Sequence, residues 1–589
     1  MSDRVSLGIR ASIALAGLVL AAGVSCAPAL AAVKVSADAT RNMTCSGGIC
    51  SPTASDAVLN TGDLEALLAA GDVTVTTIGS GVQANTLDVA AAFAWSASNT
   101  LTLDALRSIV IRATISDGGT GGMILTANNG GKTGKLDFAG GNITFANTAS
   151  PLTINGKSYA LESSIAQLAA AIAAKPRGRY ALANPYDASG DGTYAHPPIP
   201  TTFLGTFEGL GNAISNFSIT DTTDELVGLF AELGERGTIR DIGLPQASIN
   251  VSNSTTQVAR AGALAGVSVG NIEAASASGT NIGTGRTYGF QGGLVGENAG
   301  TIVDSFSTAK IQSNGAGGGL VGVNDATIRD SHAAGDVTSG SPNIRELGGL
   351  VGDNNLNGFI EHSYATGAVT EKVNNDDSFY ETPIGGFAGE NDGWIDASNA
   401  SGAVIAEIKS KSTGADAGGF AGLNTGAITL SFATGAVGAG GTSSFVGGMV
   451  GGNESTVVDC YASGAATGGS DASAGGLIGN QVNDQQYSGT TASSYSTGIP
   501  SAKIGGQGSH VGGSMGQDQS SDGTMDSYWD TTTSGKTRGT GNRGNEPGLK
   551  GLSTTQLQAG LPSGFDTAVW AENPDINGGK PYLIANPPT

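Results

Sequence analysis

Charged side chains are scarce in this chain of 589 residues, and acidic ones predominate. Lys, Arg, Asp and Glu together make up 13% of the residues, and the formal net charge is −22 at neutral pH. Nucleic acids and anionic lipids bind to clusters of Lys and Arg, so this charge balance argues against both as partners. Hydrophobic residues still amount to 39%, which permits a continuous core and excludes a highly charged disordered chain.

Histidine and cysteine are also rare, which restricts metal and nucleophile chemistry. The sequence has no His-Glu-x-x-His phrase, and no second Cys or His pair follows Cys45 and Cys50 at zinc-ligand spacing. We therefore predict no catalytic residue, no cofactor and no metal site. Each histidine is expected on the surface or in a turn: His196, His332, His362 and His510. Cys45 and Cys50 either close a small disulfide loop, which an exported protein permits, or remain free thiols.

Long apolar runs are missing except near the N-terminus. Arg4 and Arg10 precede an apolar segment at residues 11–24, and Ala29-Leu30-Ala31 then offers a small-x-small cleavage site. This pattern predicts a secretory signal peptide over residues 1–32. We expect no integral membrane segment after cleavage, and a location outside the cell or on the bacterial cell surface.

Glycine, by contrast, is abundant, with 95 residues, and much of it belongs to a repeat. The phrase Gly-Gly-Leu-Val-Gly-x-Asn, with small variations, returns at intervals of about 30 residues, which is a solenoid period. Strong copies begin at Gly292, Gly318, Gly348, Gly385, Gly418, Gly447 and Gly475. Each copy is followed by a second phrase of Ser, an aromatic residue, a small residue and Gly, as in Ser363-Tyr-Ala-Thr-Gly367.

The apolar stretches within each repeat are short and β-branched, which is typical of brief strands joined by tight turns. A phrase that returns so regularly favours a coil of parallel strands over antiparallel hairpins. The sequence therefore predicts an all-β fold, a right-handed parallel β-helix with short capping helices. Its expected size is about 16 turns and about 80 Å. Glycine is expected at corners that need a positive φ.

Stacked coils would bring equivalent residues into register. The Asn residues that end most copies would form a hydrogen-bonded ladder or would each cap a turn: Asn298, Asn324, Asn354, Asn391, Asn424 and Asn453. Cys460 holds the position occupied elsewhere by Ser305, Ser331, Ser363, Ser398 and Ser431. A small, inward-facing residue is all that this position requires, so we predict a packed thiol and not a nucleophile.

Two patterns of acidic residues resemble parts of functional sites. Asp304, Asp330 and Asp459 share one repeat position, where adjacent coils of a polysaccharide-cleaving β-helix would place an acid/base pair. The same position holds His362, Ala397 and Leu430 in the intervening copies, which favours a solvated stripe. The run Asp187-Ala-Ser-Gly-Asp-Gly192 copies the start of a calcium loop, but Pro198 stands where the closing Glu belongs. An Asp/Gly turn is the better interpretation.

The repeat phrases resemble the GLUG motif of large bacterial surface proteins, including filamentous-haemagglutinin-like adhesins. Residues 203–219 and the ending with Tyr528-Trp-Asp530 and Pro581-Tyr-Leu583 resemble the segments that flank such arrays. The likeness covers roughly residues 200–585. It implies a β-helical surface protein, whereas the peptidase activity of some GLUG proteins does not carry over, because His-Glu-x-x-His is absent. The Asn-Pro-Asn-Gly phrases of two-partner secretion exoproteins are also absent.

These patterns divide the chain into six predicted parts. They are a signal peptide (1–32), an N-terminal cap (33–71), irregular β-helix coils (72–160), a helix, a loop and the start of the repeat coils (161–225), the GLUG-repeat β-helix (226–530) and a C-terminal cap (531–589). Short helices are expected at residues 63–70, 161–174 and 554–559, with Trp570 packing behind the third.

The expected function is that of an exported adhesin or structural fibre that binds by its β-helix faces and is not an enzyme. Its expected partner is a host or environmental glycan or protein surface. The alternative is a β-helix enzyme that cleaves or modifies glycans, which would need several charged side chains converging on one face.

Overall fold

The computed structural model describes residues 32–588 except 80–81, 130, 132, 253–257, 284–288, 341–345, 374–381, 409–413, 484–486, 504–507, 521–522 and 545. The predicted signal peptide therefore lies outside the described residues, apart from Ala32, which begins the first strand. The chain forms a nearly all-β solenoid of about 14 turns, which confirms the predicted fold class. The turns are fewer than predicted because loops and the last 60 or so residues lie outside the regular coils.

A coil of the repeat region contains five short strands. In one coil they are Gly289–Gly292, Val295–Asn298, Thr301–Val303, Phe306–Ser307 and Lys310–Ser313. Each strand pairs in parallel with its equivalents in the coils before and after, for example Asn298 with Asn324. The strands therefore stack into five sheets along the solenoid, which we name A to E in chain order.

Sheets A and B have ten strands each. Sheet A comprises Leu226–Val227, Ala259–Ala261, Gly289–Gly292, Ala316–Gly318, Leu347–Gly348, Thr382–Gly385, Ala415–Gly418, Phe445–Gly447, Ser473–Gly475 and His510–Gly512. Sheet B comprises Phe230–Leu233, Ala265–Ser268, Val295–Asn298, Val321–Asn324, Val351–Asn354, Ala388–Asn391, Ala421–Asn424, Val450–Asn453, Ile478–Gln481 and Met515–Asp518.

Sheets C, D and E begin with two long bent strands, Thr238–Val251 and Asn271–Gly283, that run through all three. Sheet C continues with Thr301–Val303, Thr327–Arg329, Phe359–Glu361, Trp394–Asp396, Ala427–Thr429, Thr456–Val458, Thr490–Ala492 and Thr524–Met525, and is preceded by Thr206–Glu208. Sheet D continues with Phe306–Ser307, His332–Ala333, Tyr364–Ala365, Asn399–Ala400, Phe432–Ala433, Tyr461–Ala462, Tyr495–Ser496, Ser527–Asp530 and Leu549–Leu552. Sheet E continues with Lys310–Ser313, Val337–Ser339, Val369–Val373, Val404–Ile408, Val437–Thr442, Ala466–Ser470 and Pro500–Lys503, and is preceded by Ser218–Asp221.

The strands of the N-terminal coils run in the opposite direction to the strands of the repeat coils. Their strands are Ala32–Ser36, Ile49–Pro52, Ala57–Asn60, Val73–Thr76, Thr86–Val89, Phe93–Trp95, Thr100–Asp104, Ser108–Ile111, Ile115–Asp117, Gly122–Thr126, Leu136–Phe138, Ile143–Phe145 and Leu152–Ile154. One further strand, Met43–Ser46, pairs antiparallel with Ile49–Pro52. Leu152–Ile154 pairs antiparallel with Lys157–Glu162, which then pairs in parallel with Arg179–Leu182.

The sequence analysis predicts irregular β-helix coils over residues 72–160 but no reversal of strand direction after them. Asn155 and Gly156 form the connecting turn with φ of 48° and 71°. Two consecutive residues with positive φ make the type I′ turn that closes tight hairpins, and Asn-Gly is its preferred sequence. The signal for the reversal was therefore present in the sequence.

Helices are short and few among the described residues. The chain forms α1 (Thr61–Ala70), α2 (Ile165–Ala174), α3 (Thr531–Ser534) and α4 (Thr554–Leu557). Helix α1 lies against the edge strand Phe93–Trp95, where the Glu65 carboxylate accepts a hydrogen bond from the Ala94 amide at 2.9 Å. Within the described part of the chain, no helix has both the length and the apolar character needed to cross a membrane.

The core is built from columns of equivalent side chains. One column is formed by the third residue of each repeat phrase and is fully buried: Leu294, Leu320, Leu350, Phe387, Phe420, Met449 and Leu477. A second column comes from the middle of the sheet C strands: Ile302, Ile328, Ile360, Ile395, Ile428 and Val457. Because each coil repeats the same inward positions, one apolar core runs through the stacked coils.

The repeat glycines do not serve the purpose that we predicted for them. Among the described residues, none of the glycines in the strong repeat copies has a positive φ. A Cβ added to Gly349 would instead lie 2.1 Å from the carbonyl oxygen of Gly386 in the next coil. The positive-φ corner of each coil is formed by other residues: Asp304, Asp330, His362, Ala397, Leu430, Asp459, Ser493 and Asp526. Glycine is therefore required for close approach between coils.

The asparagine ladder is confirmed. The Nδ2 of Asn298 donates to Oδ1 of Asn324 at 2.8 Å, and the same bond joins Asn324 to Asn354, Asn354 to Asn391 and Asn391 to Asn424. The ladder residues are fully buried. Asn298 also accepts from the amide of Gly300, so a ladder residue can cap its own turn as well. Each side-chain amide thus provides hydrogen-bond partners for its neighbours in the buried core, where an unpaired polar group would lower the free energy of unfolding.

The serine column and Cys460 also match the prediction. Ser331 Oγ donates to the carbonyl of Arg329 and accepts from the amide of Ser305 in the preceding coil. Cys460 is fully buried, and its Sγ lies 3.2 Å from the carbonyl oxygen of Val458. Burial raises the pKa of this thiol well above its usual value, so the thiolate nucleophile is disfavoured. The disulfide between Cys45 and Cys50 is present and crosslinks the strands Met43–Ser46 and Ile49–Pro52.

Replacing Gly349 with alanine should destabilise the solenoid. The new methyl group would meet the Gly386 carbonyl, so we expect the free energy of unfolding to fall by at least about 2 kcal/mol. Gly438→Ala is the matched control, because the added Cβ has no atom of the described residues within 4 Å and should change stability by less than about 0.5 kcal/mol. Urea denaturation followed by circular dichroism measures both, and equal stability of the two variants would contradict the close-approach role.

Removing one ladder amide should loosen its neighbours. Asn354→Ala leaves the Asn324 donor and the Asn391 acceptor unsatisfied, at a cost of about 2 kcal/mol. We expect faster amide hydrogen exchange in the coils of Asn324 and Asn391. Asn357→Ala, in an exposed turn of the same coil, is the control and should leave exchange unchanged. Exchange that is equally slow in both variants would show that the ladder adds no stability.

Candidate binding face

The aromatic residues of the second repeat phrase form an outward-facing column on sheet D. In each two-residue strand of sheet D the first residue points outward and the second points into the core. Successive coils place these outward residues side by side: Phe306, His332, Tyr364, Asn399, Phe432, Tyr461 and Tyr495, followed by Tyr528, the second residue of the longer strand Ser527–Asp530. The strand spacing of about 4.8 Å is close to the separation at which aromatic rings stack.

Three rings at one end of the column are open to solvent. The ring centroids of Phe306 and His332 are 4.9 Å apart, and those of His332 and Tyr364 are 4.5 Å apart, with interplanar angles of 4° and 5°. Phe306 is 38% exposed and Tyr364 is 39% exposed. Partial burial lowers the pKa of His332, so its ring is neutral at neutral pH. The result is a continuous flat surface of three rings.

The neighbouring sheet C adds two more aromatic side chains. Trp394 is 52% exposed and packs edge to face against Phe359, with ring centroids 5.9 Å apart. Its Nε1 donates to Thr429 Oγ1 at 3.2 Å. An ion pair between Arg329 and Glu361 lies on the same sheet. We use "aromatic face" for this set: Phe306, His332, Phe359, Tyr364 and Trp394.

The other half of the column is covered by the chain itself. Residues 561–586, the C-terminal segment, bury Phe432, Tyr461, Tyr495 and Tyr528. The ring of Trp570 lies 6.2 Å from that of Tyr461 and 5.8 Å from that of Tyr495, and its Nε1 donates to Asp459 Oδ1 at 2.9 Å. Trp570 therefore packs along the side of the coils, whereas we expected it behind the third helix at the end of the solenoid.

The far end of the C-terminal segment is held by backbone carbonyls of the coils. Asn586 Nδ2 donates to the carbonyl oxygens of Ser398 at 2.9 Å and Leu430 at 3.1 Å. The Tyr495 hydroxyl donates to the carbonyl of Pro581 at 2.6 Å. Sheet D thus binds a chain segment through a tryptophan ring, hydroxyl groups and corner carbonyls.

The acidic stripe lies at the positive-φ corner between sheets C and D. Asp304 and Asp330 have φ of 51° and 50°, which explains why Asp alternates there with residues of unrelated chemistry. The Asp304 carboxylate pairs with Lys135 Nζ at 3.1 Å, and Asp459 accepts from Trp570. His362 occupies the same corner and His332 lies in the ring stack, so these two histidines are not brought together.

The calcium-like phrase forms a helical turn at Ala188–Asp191. Asp187 Oδ1 accepts from the amide of Ser189 and from Asn216 Nδ2. The two carboxylate oxygens of Asp191 accept from the hydroxyls of Tyr186 and Tyr194. Asp187 and Asp191 therefore stabilise a turn through these hydrogen bonds.

Charged groups converge where the N-terminal coils meet the repeat coils. Arg240 Nε donates to Glu208 Oε2 at 2.5 Å, and Asp241 is hydrogen-bonded to Glu208, which is fully buried. Burial and the charge of Glu208 raise the pKa of Asp241 to about 9, so its carboxyl group is protonated at neutral pH. This cluster could not be predicted from the repeat, because Glu208 and Arg240 lie in different coils ahead of the strong repeat copies.

Comparisons with known proteins do not assign this chain to a family, but they find a partial similarity to another protein. No family model matches this chain. A stretch of 108 residues is 38% identical to part of Halomucin from Haloquadratum walsbyi. That stretch is 18% of this chain and spans 1% of the length of Halomucin. The likeness supports a repeat protein, and the GLUG resemblance stays an interpretation of the repeat residues.

Loss of the Trp570 side chain alone should release the C-terminal segment from sheet D. Trp570→Ala removes a buried ring and the bond to Asp459, at a cost of about 3 kcal/mol to local docking. We expect limited proteolysis to cut between residues 561 and 586 at least tenfold faster. Trp394→Ala removes an exposed ring and should leave the cleavage rate unchanged. A protected segment in the Trp570 variant would contradict this assignment.

Proposed function

We propose that this chain is an exported, non-enzymatic repeat protein that acts as an adhesin and binds a glycan with its aromatic face. The observation that carries the proposal is the exposed stack of Phe306, His332 and Tyr364. Exposed clusters of large apolar side chains are uncommon in soluble proteins unless they bind something. Two further rings on sheet C extend the same surface.

A glycan is the partner whose chemistry fits this surface best. Sugar rings present flat C–H faces that pack on aromatic rings, and their hydroxyl groups bond to side chains such as Arg329 and Glu361. Glu361 and Asp396 end the sheet C strands that begin with Phe359 and Trp394, and Asp330 occupies the corner two residues before His332, so a neutral glycan is favoured over an acidic one. The covered half of the column binds a ring and polar groups of the chain itself in a comparable way.

An extracellular location is supported by three observations. The N-terminal sequence predicts a signal peptide. The Cys45–Cys50 disulfide is typical of oxidising compartments outside the cytosol. The similarity to a stretch of Halomucin is compatible with an extracellular repeat protein.

The alternative, a glycan-cleaving enzyme, is favoured by one observation, the cluster of Glu208, Arg240 and Asp241. It resembles an acid/base pair with a neighbouring cation. Glu208 has no exposed surface, however, so a substrate could not contact it without rearrangement. We therefore assign this cluster a structural role at the junction of the two sets of coils.

The binding proposal predicts a local loss of affinity. A glycan array identifies the ligand, and Tyr364→Ala is expected to weaken its binding at least tenfold, because a stacking surface is lost. Ile405→Ala is the control, since Ile405 is a similarly exposed apolar residue on sheet E. Equal affinity of the Tyr364 variant and the control would overturn the aromatic face as the site. Shortened glycan products in the same incubation, abolished by Glu208→Gln, would favour the enzyme.

A further inference from the structure

Three potential metal ligands meet at the start of the repeat coils. His196 lies two residues after Tyr194, which pairs with Ile219, and Asp221 ends the strand Ser218–Asp221. The Nδ1 of His196 is 2.7 Å from Asp224 Oδ2 and 4.0 Å from Asp221 Oδ2. The three ligand atoms all lie within 4.8 Å of one another. No sequence motif joins these residues, because the solenoid pairing brings them together.

The carboxylate of Asp221 gives independent evidence for a bound cation. Its side chain has no exposed surface, and its Oδ1 accepts hydrogen bonds from the amides of Thr223 at 2.8 Å and Asp224 at 2.9 Å. Its Oδ2 has no N–H donor within hydrogen-bond distance among the described residues, and the side chain that lies beside it, Asp224, is a second carboxylate. A buried carboxylate oxygen without a hydrogen-bond donor is strongly destabilising, and this one faces His196 and Asp224. The ion pair between His196 and Asp224 does not satisfy it, since 4.0 Å is too long for a hydrogen bond.

The donor set indicates the class of cation. One imidazole nitrogen and two carboxylate oxygens suit Zn²⁺ and related divalent transition metals, whereas Ca²⁺ and Mg²⁺ prefer sites made of oxygen alone. Metal–ligand bonds of about 2.0–2.1 Å place the ligand atoms of a tetrahedral site about 3.3 Å apart. The observed separations of 2.7 and 4.0 Å lie on either side of that value. His196 is 68% exposed, so its ring can move by the small amount required while Asp221 stays fixed.

We propose that His196, Asp221 and Asp224 bind a divalent transition-metal cation of the Zn²⁺ type. The ion joins the segment that carries His196 to the end of the strand Ser218–Asp221. It therefore clips the chain that precedes the repeat coils onto one of the first strands of sheet E. Three protein ligands leave one coordination position for water. The site is separate from the aromatic face and does not depend on glycan binding.

Titration of the chelator-treated full chain with Zn²⁺ tests the proposal. Isothermal calorimetry is expected to show one site with a Kd of about 10 μM or tighter. Asp221→Asn keeps the Oδ1 acceptor but replaces Oδ2 with an amide, and should weaken binding at least tenfold. His362→Gln removes a different histidine and should have no effect. Because the chain has four histidines, their side-chain ¹⁵N signals in NMR spectra can be told apart, and only the signal of His196 should shift on binding.

Several results would overturn the proposal. They are the absence of saturable Zn²⁺ binding, equal binding by the Asp221 variant, and a shift of another histidine in place of His196. Saturation by Ca²⁺ but not by Zn²⁺ would overturn the choice of metal. Should Asp221→Asn fold poorly, Asp224→Asn provides the test, since Asp224 is partly exposed and its loss should also weaken Zn²⁺ binding at least tenfold. Unchanged binding in that variant would likewise contradict the site.

Discussion

Adjacent coils of this solenoid are held at the distance of a parallel strand pair, about 4.8 Å, and every column of equivalent residues must suit that spacing. Where a backbone approaches this closely, only glycine fits, as at Gly349 against the Gly386 carbonyl. Where an amide is buried, it bonds to the same amide one coil away, as Asn324 does with Asn354. Where a ring points outward, it stacks on the next ring. One distance thus accounts for the glycine, asparagine and aromatic positions of the repeat.

Much of the fold could be predicted because each coil repeats the same residue types at equivalent positions. Equivalent residues return at regular intervals, so the Asn ladder, the Ser column and the packing of Cys460 followed from alignment of the copies. The role of the glycines was misjudged, because glycine serves both positive φ and close approach and the sequence does not distinguish them. The hairpin at Asn155 and Gly156 was missed although Asn-Gly is a strong turn signal.

The features that sequence analysis missed are contacts between parts of the chain that share no repeat. The C-terminal segment reaches Ser398 from Asn586, a separation of 188 residues. Glu208 and Arg240 meet across neighbouring coils outside the strong copies, and Lys135 meets Asp304 across the junction with the N-terminal coils. Such pairs are set by the three-dimensional path of the chain, and a single sequence without periodicity at these positions does not reveal them.

The length of the aromatic column on sheet D depends on the number of coils. Each coil contributes one outward side chain to sheet D and contacts chiefly its two neighbours. The C-terminal segment covers a fixed number of these positions, from Tyr528 back towards Asn399. A gene duplication that inserts one coil ahead of that segment would lengthen the open stack by one ring and leave the existing contacts intact. The length of the exposed aromatic column can therefore change in single steps, independently of the fold that displays it.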